Sequence, residues 1–248
     1  MSDLLLELCG VWAGYGGSDV LRDLTFSVPR GSITCVVGPN GAGKSTILRV
    51  VSGQLHPRLG AVTFEGNDIG GKTPRAVLEL GIVQVAQNHT LFPAMSVRDN
   101  VGMGAFLLRD RQEVARRLAQ VEELFPIVHD RAQDKAGSLS GGQQRLVEFA
   151  RCLMLDPGLV VLDEPSMGLD PKTLRTVLGQ VRRMWEDGRT VLLVEQNVRA
   201  GLSLATHAVV VESGQVRLQG SGQEVLSNPE IAGLYLGGGI GTTNSLSP

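Results

Sequence analysis

Apolar residues recur along the chain with two periods, which together predict alternating strands and helices. A period of two over residues 11–29, around a glycine-rich turn, predicts a hairpin. Short β-branched runs predict further strands at 32–37, 62–65, 82–85, 159–162 and 190–194. Apolar spacing of three and four residues predicts helices at 44–52, 74–80, 142–155, 171–185 and 198–204. This order of elements predicts an α/β protein.

The middle and the end of the chain complete this pattern. Residues 97–124 have a helical pattern, with a strongly charged face from residue 109. We expect His207 to end a helix and two edge strands to follow at 208–212 and 215–219. The tail at 237–248 has too little apolar surface to pack, so we expect it to be disordered.

Composition narrows the function only slightly. The 248 residues carry a formal net charge of −2, so no basic field favours nucleic acid as a partner. Three cysteines without C-x-x-C spacing predict reduced thiols in a cytosolic protein, with Cys35 and Cys152 buried. We expect no signal peptide, and no stretch approaches the ~18 apolar residues of a membrane span. If the protein works at a membrane, another chain must span it.

A glycine-rich segment gives the strongest chemical signal. It lies between the strand at 32–37 and the helix at 44–52, and it matches G-x-x-x-x-G-K-S through Gly38, Pro39, Asn40, Gly41, Ala42, Gly43, Lys44 and Ser45, with Thr46 next. Its glycines bare backbone N–H groups to phosphates, Lys44 reaches the outer phosphates, and Ser45 offers a hydroxyl to magnesium. The N-terminus of the helix adds partial positive charge. We therefore expect ATP and Mg²⁺ as ligands.

Two more motifs narrow the class of protein. The strand at 159–162 ends in Asp163-Glu164, and Ser140, placed 23 residues before Asp163, belongs to the run Leu139, Ser140, Gly141, Gly142 and Gln143. With the phosphate loop, these motifs resemble the ATP-binding cassette (ABC) family over about residues 4–230. The resemblance implies a P-loop NTPase α/β core, an antiparallel β subdomain and an inserted α-helical signature subdomain. It implies one ATPase domain at 4–236, with the helical subdomain at about 88–155.

The resemblance also implies roles for single residues near the phosphates. Asp163 would hold magnesium opposite Ser45, and Glu164 would act as general base on the attacking water. Gln87 would reach the magnesium and the same water. Tyr15, in a glycine-rich turn, would stack on adenine, although a turn or core tyrosine is the plainer alternative.

Other residues are implied to face partner chains. In the family, two ATPase domains dimerise head to tail, so residues 139–143 would bind the ATP held by the partner subunit. The D-loop residue Asp170 would cross the same interface. Residues 88–95 look like the surface that couples to a membrane partner, with a local core patch as the alternative reading.

Position 196 departs from the common pattern. Most ABC ATPases carry a histidine after the strand at 190–194, where this chain has Gln196. A glutamine amide can orient the γ-phosphate but carries no positive charge, so Gln196 is predicted to contribute less to catalysis. Segments 99–105, 194–197 and 234–238 are similar to one ATPase subunit of branched-chain amino-acid importers, although that subunit often has Glu at position 87. The lipopolysaccharide-extracting ATPase shares a similar tail but usually keeps the histidine.

These observations predict an ATPase subunit at the cytoplasmic face of the membrane. It would power import of branched-chain amino acids or related small solutes, with a second ABC ATPase subunit, two permease subunits and an extracytoplasmic solute-binding protein as partners. The second ATPase would be a homologue or a copy of this chain. Alternatives are a lipopolysaccharide-extracting ATPase, a regulatory subunit that binds ATP with little turnover, and a soluble ABC protein.

Overall fold

The computed structural model describes residues 3–231. The strands are β1 (Leu4–Tyr15), β2 (Ser18–Pro29), β3 (Ile33–Val37), β4 (Leu59–Phe64), β5 (Asn67–Asp68), β6 (Ile82–Val85), β7 (Leu159–Asp163), β8 (Thr190–Glu195), β9 (His207–Glu212) and β10 (Gln215–Gly220). The helices are α1 (Lys44–Val51), α2 (Pro74–Glu79), α3 (Val97–Gly102), α4 (Arg111–Leu124), α5 (Ile127–Asp130), α6 (Gly141–Leu153), α7 (Pro171–Glu186), α8 (Val198–Leu204) and α9 (Gly222–Ser227).

A six-stranded sheet in the order β10-β9-β3-β8-β7-β6 forms the centre of the molecule. All its pairings are parallel except that between β9 and β10. Successive residues of β8 belong to different cores: Val191 and Leu193 pack with the helices, whereas Leu192 and Val194 pack with the other sheet. The continuous apolar runs seen in the sequence therefore reflect burial on both faces.

The second sheet is antiparallel, in the order β2-β1-β4-β5. The hairpin of β1 and β2 turns at Gly16 and Gly17, both of which have positive φ. Inward residues of these strands, including Leu8 and Leu24, join Ile47 of α1 in a common core. The predicted hairpin and antiparallel β subdomain are thus confirmed.

Helices between β6 and β7 form the helical part of the fold. The predicted helical stretch at 97–124 is not continuous, because α3 gives way to a 3₁₀ turn at Met103–Ala105 and α4 begins only at Arg111. Asp110 starts α4 as its N-cap, and its side chain accepts a hydrogen bond from the backbone N–H of Gln112. Phe125, Val147 and Phe149 carry the core from these helices onto the sheet.

Two expectations for the chain near residue 207 are wrong. Strand β9 is not an edge strand, because it pairs with β3 on one side and β10 on the other, and its residues 208–211 are buried. His207 does not end a helix: α8 stops at Leu204, and His207 opens β9 opposite Thr34. Both errors concern pairing with a strand far away in the sequence, which local patterns do not report.

Two further sequence expectations concern membrane spans and thiols. Within residues 3–231, no helix is long and apolar enough to cross a membrane. Cys35 and Cys152 are buried, as predicted, whereas Cys9 is exposed. The tail at 237–248, expected to be disordered, lies outside the described residues.

Candidate functional site

The phosphate loop (residues 38–45) joins β3, in the middle of the large sheet, to α1. Gly41 and Gly43 have φ values of 80° and 104°, which glycine adopts readily, and Gly43 is the N-cap of α1. A Cβ on Gly38 would lie 2.2 Å from the carbonyl oxygen of Val211, so no side chain fits there. The loop therefore ends at a helix N-terminus, the arrangement that binds phosphate groups.

The Lys44 ammonium lies within this loop. Lys44 is 5% exposed, and its Nζ donates hydrogen bonds to the carbonyl oxygens of Gly38, at 2.9 Å, and Pro39, at 3.1 Å. Glu164 Oε1 lies 4.0 Å from the same Nζ. Because two of these partners are neutral carbonyls, the ammonium keeps the capacity to bind an anionic ligand.

Ser45, Gln87 and Asp163 line one cavity of about 320 Å³ beside the phosphate loop. They come from α1, from the segment after β6 and from the end of β7, because carboxyl ends of parallel strands meet at one edge of a sheet. The structure thus brings together the three residues predicted to hold magnesium. Their hydroxyl, amide and carboxylate oxygens are the ligand types that Mg²⁺ prefers.

Electrostatics also favour a cation in this cavity. Burial, and next the charge of Glu164, raise the pKa of Asp163, while Arg49, Lys44 and Arg145 oppose the shift. The raised pKa means that the nearby positive charges do not offset the cost of burying the charged carboxylate. A bound cation would therefore stabilise it. Residues 3–231 contain no group of three or more His, Cys, Asp or Glu residues placed to hold a metal ion.

Glu164 lies between the phosphate loop and the segment after β6. Its φ of 44° is unusual for a residue with a side chain, and its backbone N–H donates to the Val194 carbonyl oxygen at 2.9 Å. Glu164 is 9% exposed, and its Oε2 accepts a hydrogen bond from Gln87 Nε2 at 2.9 Å. Strained backbone that aims a carboxylate at a cavity is a feature of functional sites.

A second cavity, of about 310 Å³, is lined by Glu164 and Gln196. Gln196 is exposed, whereas the neighbouring Glu195 is fully buried. Glu195 accepts hydrogen bonds from Ser166 N at 3.1 Å and Ser166 Oγ at 2.6 Å, and from Asn197 N at 3.4 Å. Burial raises the pKa of Glu195, while the Ser166 hydrogen bonds act in the opposite direction. These contacts tie the loop after Glu164 to the end of β8.

The signature segment (residues 139–143) begins α6 and faces solvent at its tip. Ser140 is the N-cap and forms a capping box with Gln143, in which Ser140 N donates to Gln143 Oε1 at 3.0 Å. Ser140 and Gly141 are exposed, and neither cavity beside Glu164 is lined by a residue of this segment. The structure therefore does not bring the signature segment to the phosphate loop of its own chain.

Asp170 and Gly142 both contact Thr173 of α7. Asp170 is the N-cap of α7, where its carboxylate accepts hydrogen bonds from Lys172 N, Thr173 N and Thr173 Oγ1. The Thr173 hydrogen bonds lower the pKa of Asp170. A Cβ on Gly142 would lie 2.0 Å from Thr173 Cγ2, so α6 and α7 touch at this glycine. The proposed action of Asp170 across an interface stays a prediction.

Tyr15, at the end of β1, connects to the same region through Arg49. Tyr15 is 44% exposed, and its hydroxyl accepts a hydrogen bond from Arg49 NH1 at 2.9 Å. The Arg49 guanidinium carbon lies 5.6 Å from the ring centroid. Since Arg49 also lines the cavity of Ser45 and Asp163, Tyr15 stands near the predicted nucleotide site.

Sequence patterns missed three charged residues of the site: Arg49, Arg145 and Glu195. Arg49 lies one helical turn after Ser45, a spacing that could have identified it. Glu195 ends an apolar strand, as Asp163 does, which was a usable signal. Arg145 gave no such signal, because the carbonyl groups of Ala86 and Gln87 that tie it to the site lie far away in the sequence.

A phosphate loop after a central parallel strand, with an acidic pair at the end of a nearby strand, defines a P-loop nucleoside triphosphatase. A family model described as ABC transporter matches residues 21–167. The chain belongs to the ABC transporter family, in which it is an ATP-binding subunit and an ATPase.

Individual relatives agree with this assignment. BraG of Pseudomonas aeruginosa, a high-affinity branched-chain amino acid transport ATP-binding protein, is 35% identical over 224 residues, which are 90% of this chain and 96% of BraG. LivF of Archaeoglobus fulgidus, named for branched-chain amino acid transport, is 33% identical over 226 residues, 91% of this chain and 95% of LivF. A solved ATP-binding cassette of an ABC transporter, in its ADP conformation, is similar with a TM-score of 0.84 and 29% identity, over 95% of this chain and 99% of that one. The expected family and fold class are therefore confirmed.

Proposed function

We propose that this chain couples ATP hydrolysis to the import of branched-chain amino acids or related small solutes, at the cytoplasmic face of the membrane. The observation that carries the catalytic part is the convergence of Ser45, Gln87 and Asp163 in one cavity, with Glu164 between Gln87 and Lys44. The similarity to BraG and LivF supports the solute class. The expected Mg²⁺ belongs to this proposal.

The phosphate loop would hold the triphosphate. Backbone N–H groups of residues 38–46 and the N-terminus of α1 would bind phosphate oxygens, and Lys44 would exchange its carbonyl partners for the outer phosphates. Ser45, Asp163 and Gln87 would hold Mg²⁺, which supplies charge neutralisation at the phosphates when bound. Tyr15 would stack on the adenine ring.

Glu164 would act as the general base. Its carboxylate accepts a hydrogen bond from Gln87, so the two side chains can contact the same water molecule and turn its lone pair towards the γ-phosphorus. Gln196, across the second cavity, would orient the γ-phosphate through its amide N–H. Phosphoryl transfer then depends mainly on positioning and charge stabilisation, which these side chains supply.

A second cassette would complete the site. Exposed Ser140 and Gly141 lie at a helix N-terminus that does not reach the phosphate loop of the same chain. We propose that residues 139–143 bind the ATP of a partner subunit, a homologue or a copy of this chain, and that Asp170 contributes at the same interface.

A membrane partner would dock in an apolar groove of about 300 Å³ between β6 and the helical part. Phe92, Met103 and Phe106 border it and are 47%, 46% and 65% exposed. Exposed aromatic and methionine side chains around a groove fit an apolar partner segment. We propose that one of two permease subunits places a cytoplasmic segment here and that the other docks on the second ATPase subunit, with an extracytoplasmic binding protein delivering the solute and no nucleic acid involved.

The proposed domain organisation follows the site. Residues 4–236 would form a single ATPase domain, with the helical subdomain at about 88–155. Limited proteolysis with bound ATP tests these limits: cleavage should fall after residue 236 and leave 4–236 intact. Early cleavage within 88–155 would contradict the single-domain proposal.

The transport proposal is tested with the chain, its permeases and its binding protein reconstituted in liposomes. We expect ATP-dependent uptake of labelled leucine or a related amino acid, and no uptake when Glu164→Gln replaces the wild type. Lipopolysaccharide release with no amino-acid uptake would favour the extraction alternative. Tight ATP binding without turnover would favour the regulatory alternative, for which Gln196 is the supporting observation.

A further inference from the structure

An ion pair on α6 is buried although neither residue belongs to a motif of the site. Arg145 and Glu148 are 4% and 1% exposed, and Arg145 NH1 lies 2.9 Å from Glu148 Oε2. Removing two charges from water costs several kcal/mol per ion, and mutual attraction alone rarely makes such a pair stabilising. The other hydrogen bonds of the pair therefore indicate what it does.

Those hydrogen bonds go to one short segment, residues 86–90. Arg145 donates to the carbonyl oxygens of Ala86, at 2.7 Å, and Gln87, at 2.5 Å. Glu148 accepts from Thr90 N at 2.6 Å and lies 3.4 Å from His89 Nδ1. The segment has no helix or strand, so these charged groups satisfy backbone polar atoms at both of its ends.

The same segment carries a residue of the site and a residue of the groove. Gln87 donates to Glu164, and Thr90 lines the apolar groove together with Glu148. Burial lowers the pKa of Arg145, and the charges of Glu148, Asp163 and Glu195 oppose that shift, so its guanidinium lies within electrostatic reach of the site carboxylates. The ion pair thus stands between the groove and the acidic end of the large sheet.

We infer that Arg145 and Glu148 are positioning residues for Gln87: they fasten residues 86–90 to the helix that begins at the signature segment. One helix turn separates the two charged residues, so α6 presents both to the segment as a rigid unit. This inference rests on the proposed role of Gln87 in ATP hydrolysis.

Arg145→Lys and Glu148→Gln test the inference, with two readouts. We expect kcat for ATP at saturating Mg²⁺ to fall about 10 to 100-fold, as when a catalytic group is misplaced by about 1 Å, with ATP affinity unchanged within about twofold. Amide hydrogen exchange of residues 86–92 should rise about tenfold or more while residues 44–53 stay protected. Glu113→Gln and Arg117→Lys make the same chemical changes in a partly exposed ion pair of α4, and should alter neither readout.

A double-mutant cycle decides whether the pair acts through Gln87. Adding Arg145→Lys to Gln87→Ala should cost no further kcat, because the positioned side chain is already absent. Additive losses, or unchanged exchange at 86–92 in the two single variants, would overturn the inference. If Glu148→Gln fails to fold, Arg145→Lys and its cycle still decide. A different result would show that the proposed function is wrong: Gln87→Ala alone would then keep the wild-type kcat.

Discussion

The phosphate loop and the signature segment both use glycines at the start of a helix, and their surroundings are opposite. A Cβ on Gly43 would lie 2.7 Å from Leu21 Cδ2, and the following Lys44 is buried. In the signature segment, a Cβ on Gly141 would meet only His89 Nε2, at 3.7 Å, and Gly141 is exposed. One glycine-rich helix start is enclosed by its own chain, whereas the other is open to solvent.

This difference separates two reasons for using glycine. In the phosphate loop, glycine allows positive φ and close packing within the chain. A Cβ added to Gly142 would lie 2.0 Å from Thr173 Cγ2, so this glycine also allows close packing within the chain. Gly141 has room for a side chain that it does not carry, so the space suits an approaching ligand from another molecule. Four substitutions test this difference between the two segments.

Lys44→Ala should have the largest effect, because it removes the buried cation from the enclosed phosphate loop. Losing a desolvated charge contact with phosphate costs about 2 to 5 kcal/mol, so we expect ATP affinity to fall at least ~30-fold and turnover to vanish. Calorimetric titration with Mg-ATP measures it. Lys135→Ala, which removes an exposed lysine, is the control, and an unchanged affinity in Lys44→Ala would show that ATP binds elsewhere.

Glu164→Gln should separate ATP binding from ATP turnover at the phosphate loop. Since the amide cannot take a proton but fills the same space, we expect kcat to fall about 10² to 10⁴-fold while ATP affinity is kept. Phosphate release and size-exclusion chromatography in ATP measure turnover and ATP-dependent dimerisation, which should become stable. Glu186→Gln makes the same change at an exposed site. Wild-type turnover in Glu164→Gln would remove Glu164 from the mechanism.

Gly141→Asp tests the exposed signature segment. The chain has room for the new side chain, so we expect normal thermal stability and ATP affinity in the isolated subunit. In the assembly, a carboxylate facing the partner's phosphates should lower turnover about 100-fold through like-charge repulsion. Gly179→Asp places the same residue at an open glycine of α7 and is the matched control. Loss of ATP binding by isolated Gly141→Asp would mean that the segment serves its own chain.

Gln196→Ala should have the smallest effect. Losing one donor to a developing charge costs up to ~10³-fold, and we expect about tenfold here because the Gln196 amide is exposed and uncharged. Gln196→His should hold or raise turnover, since a histidine can add positive charge. Steady-state phosphate release, in assemblies whose other site is silenced, measures both. Equal rates for Gln, His and Ala would exclude position 196 from catalysis.

Local patterns were sufficient for the motifs and most elements of the fold. The phosphate loop was predictable because its spacing encodes its own backbone geometry, and the helix predicted at 142–155 begins one residue earlier, at Gly141. Burial on both faces explains why the central strands were recognisable as short apolar runs. By contrast, β9 was mistaken for an edge strand because its neighbour β3 lies some 170 residues earlier in the chain.

The phosphate loop, the acidic pair and most strands and helices could be predicted from the amino-acid sequence, because each depends on residues close together in the chain. Which side chains share a cavity could be read only from the folded chain. The meeting of Ser45, Gln87 and Asp163 depends on strand order, and the burial of Arg145, Glu148 and Glu195 depends on packing between distant segments. A buried charge looks like any other charge in a sequence, since its partners are chosen by the fold.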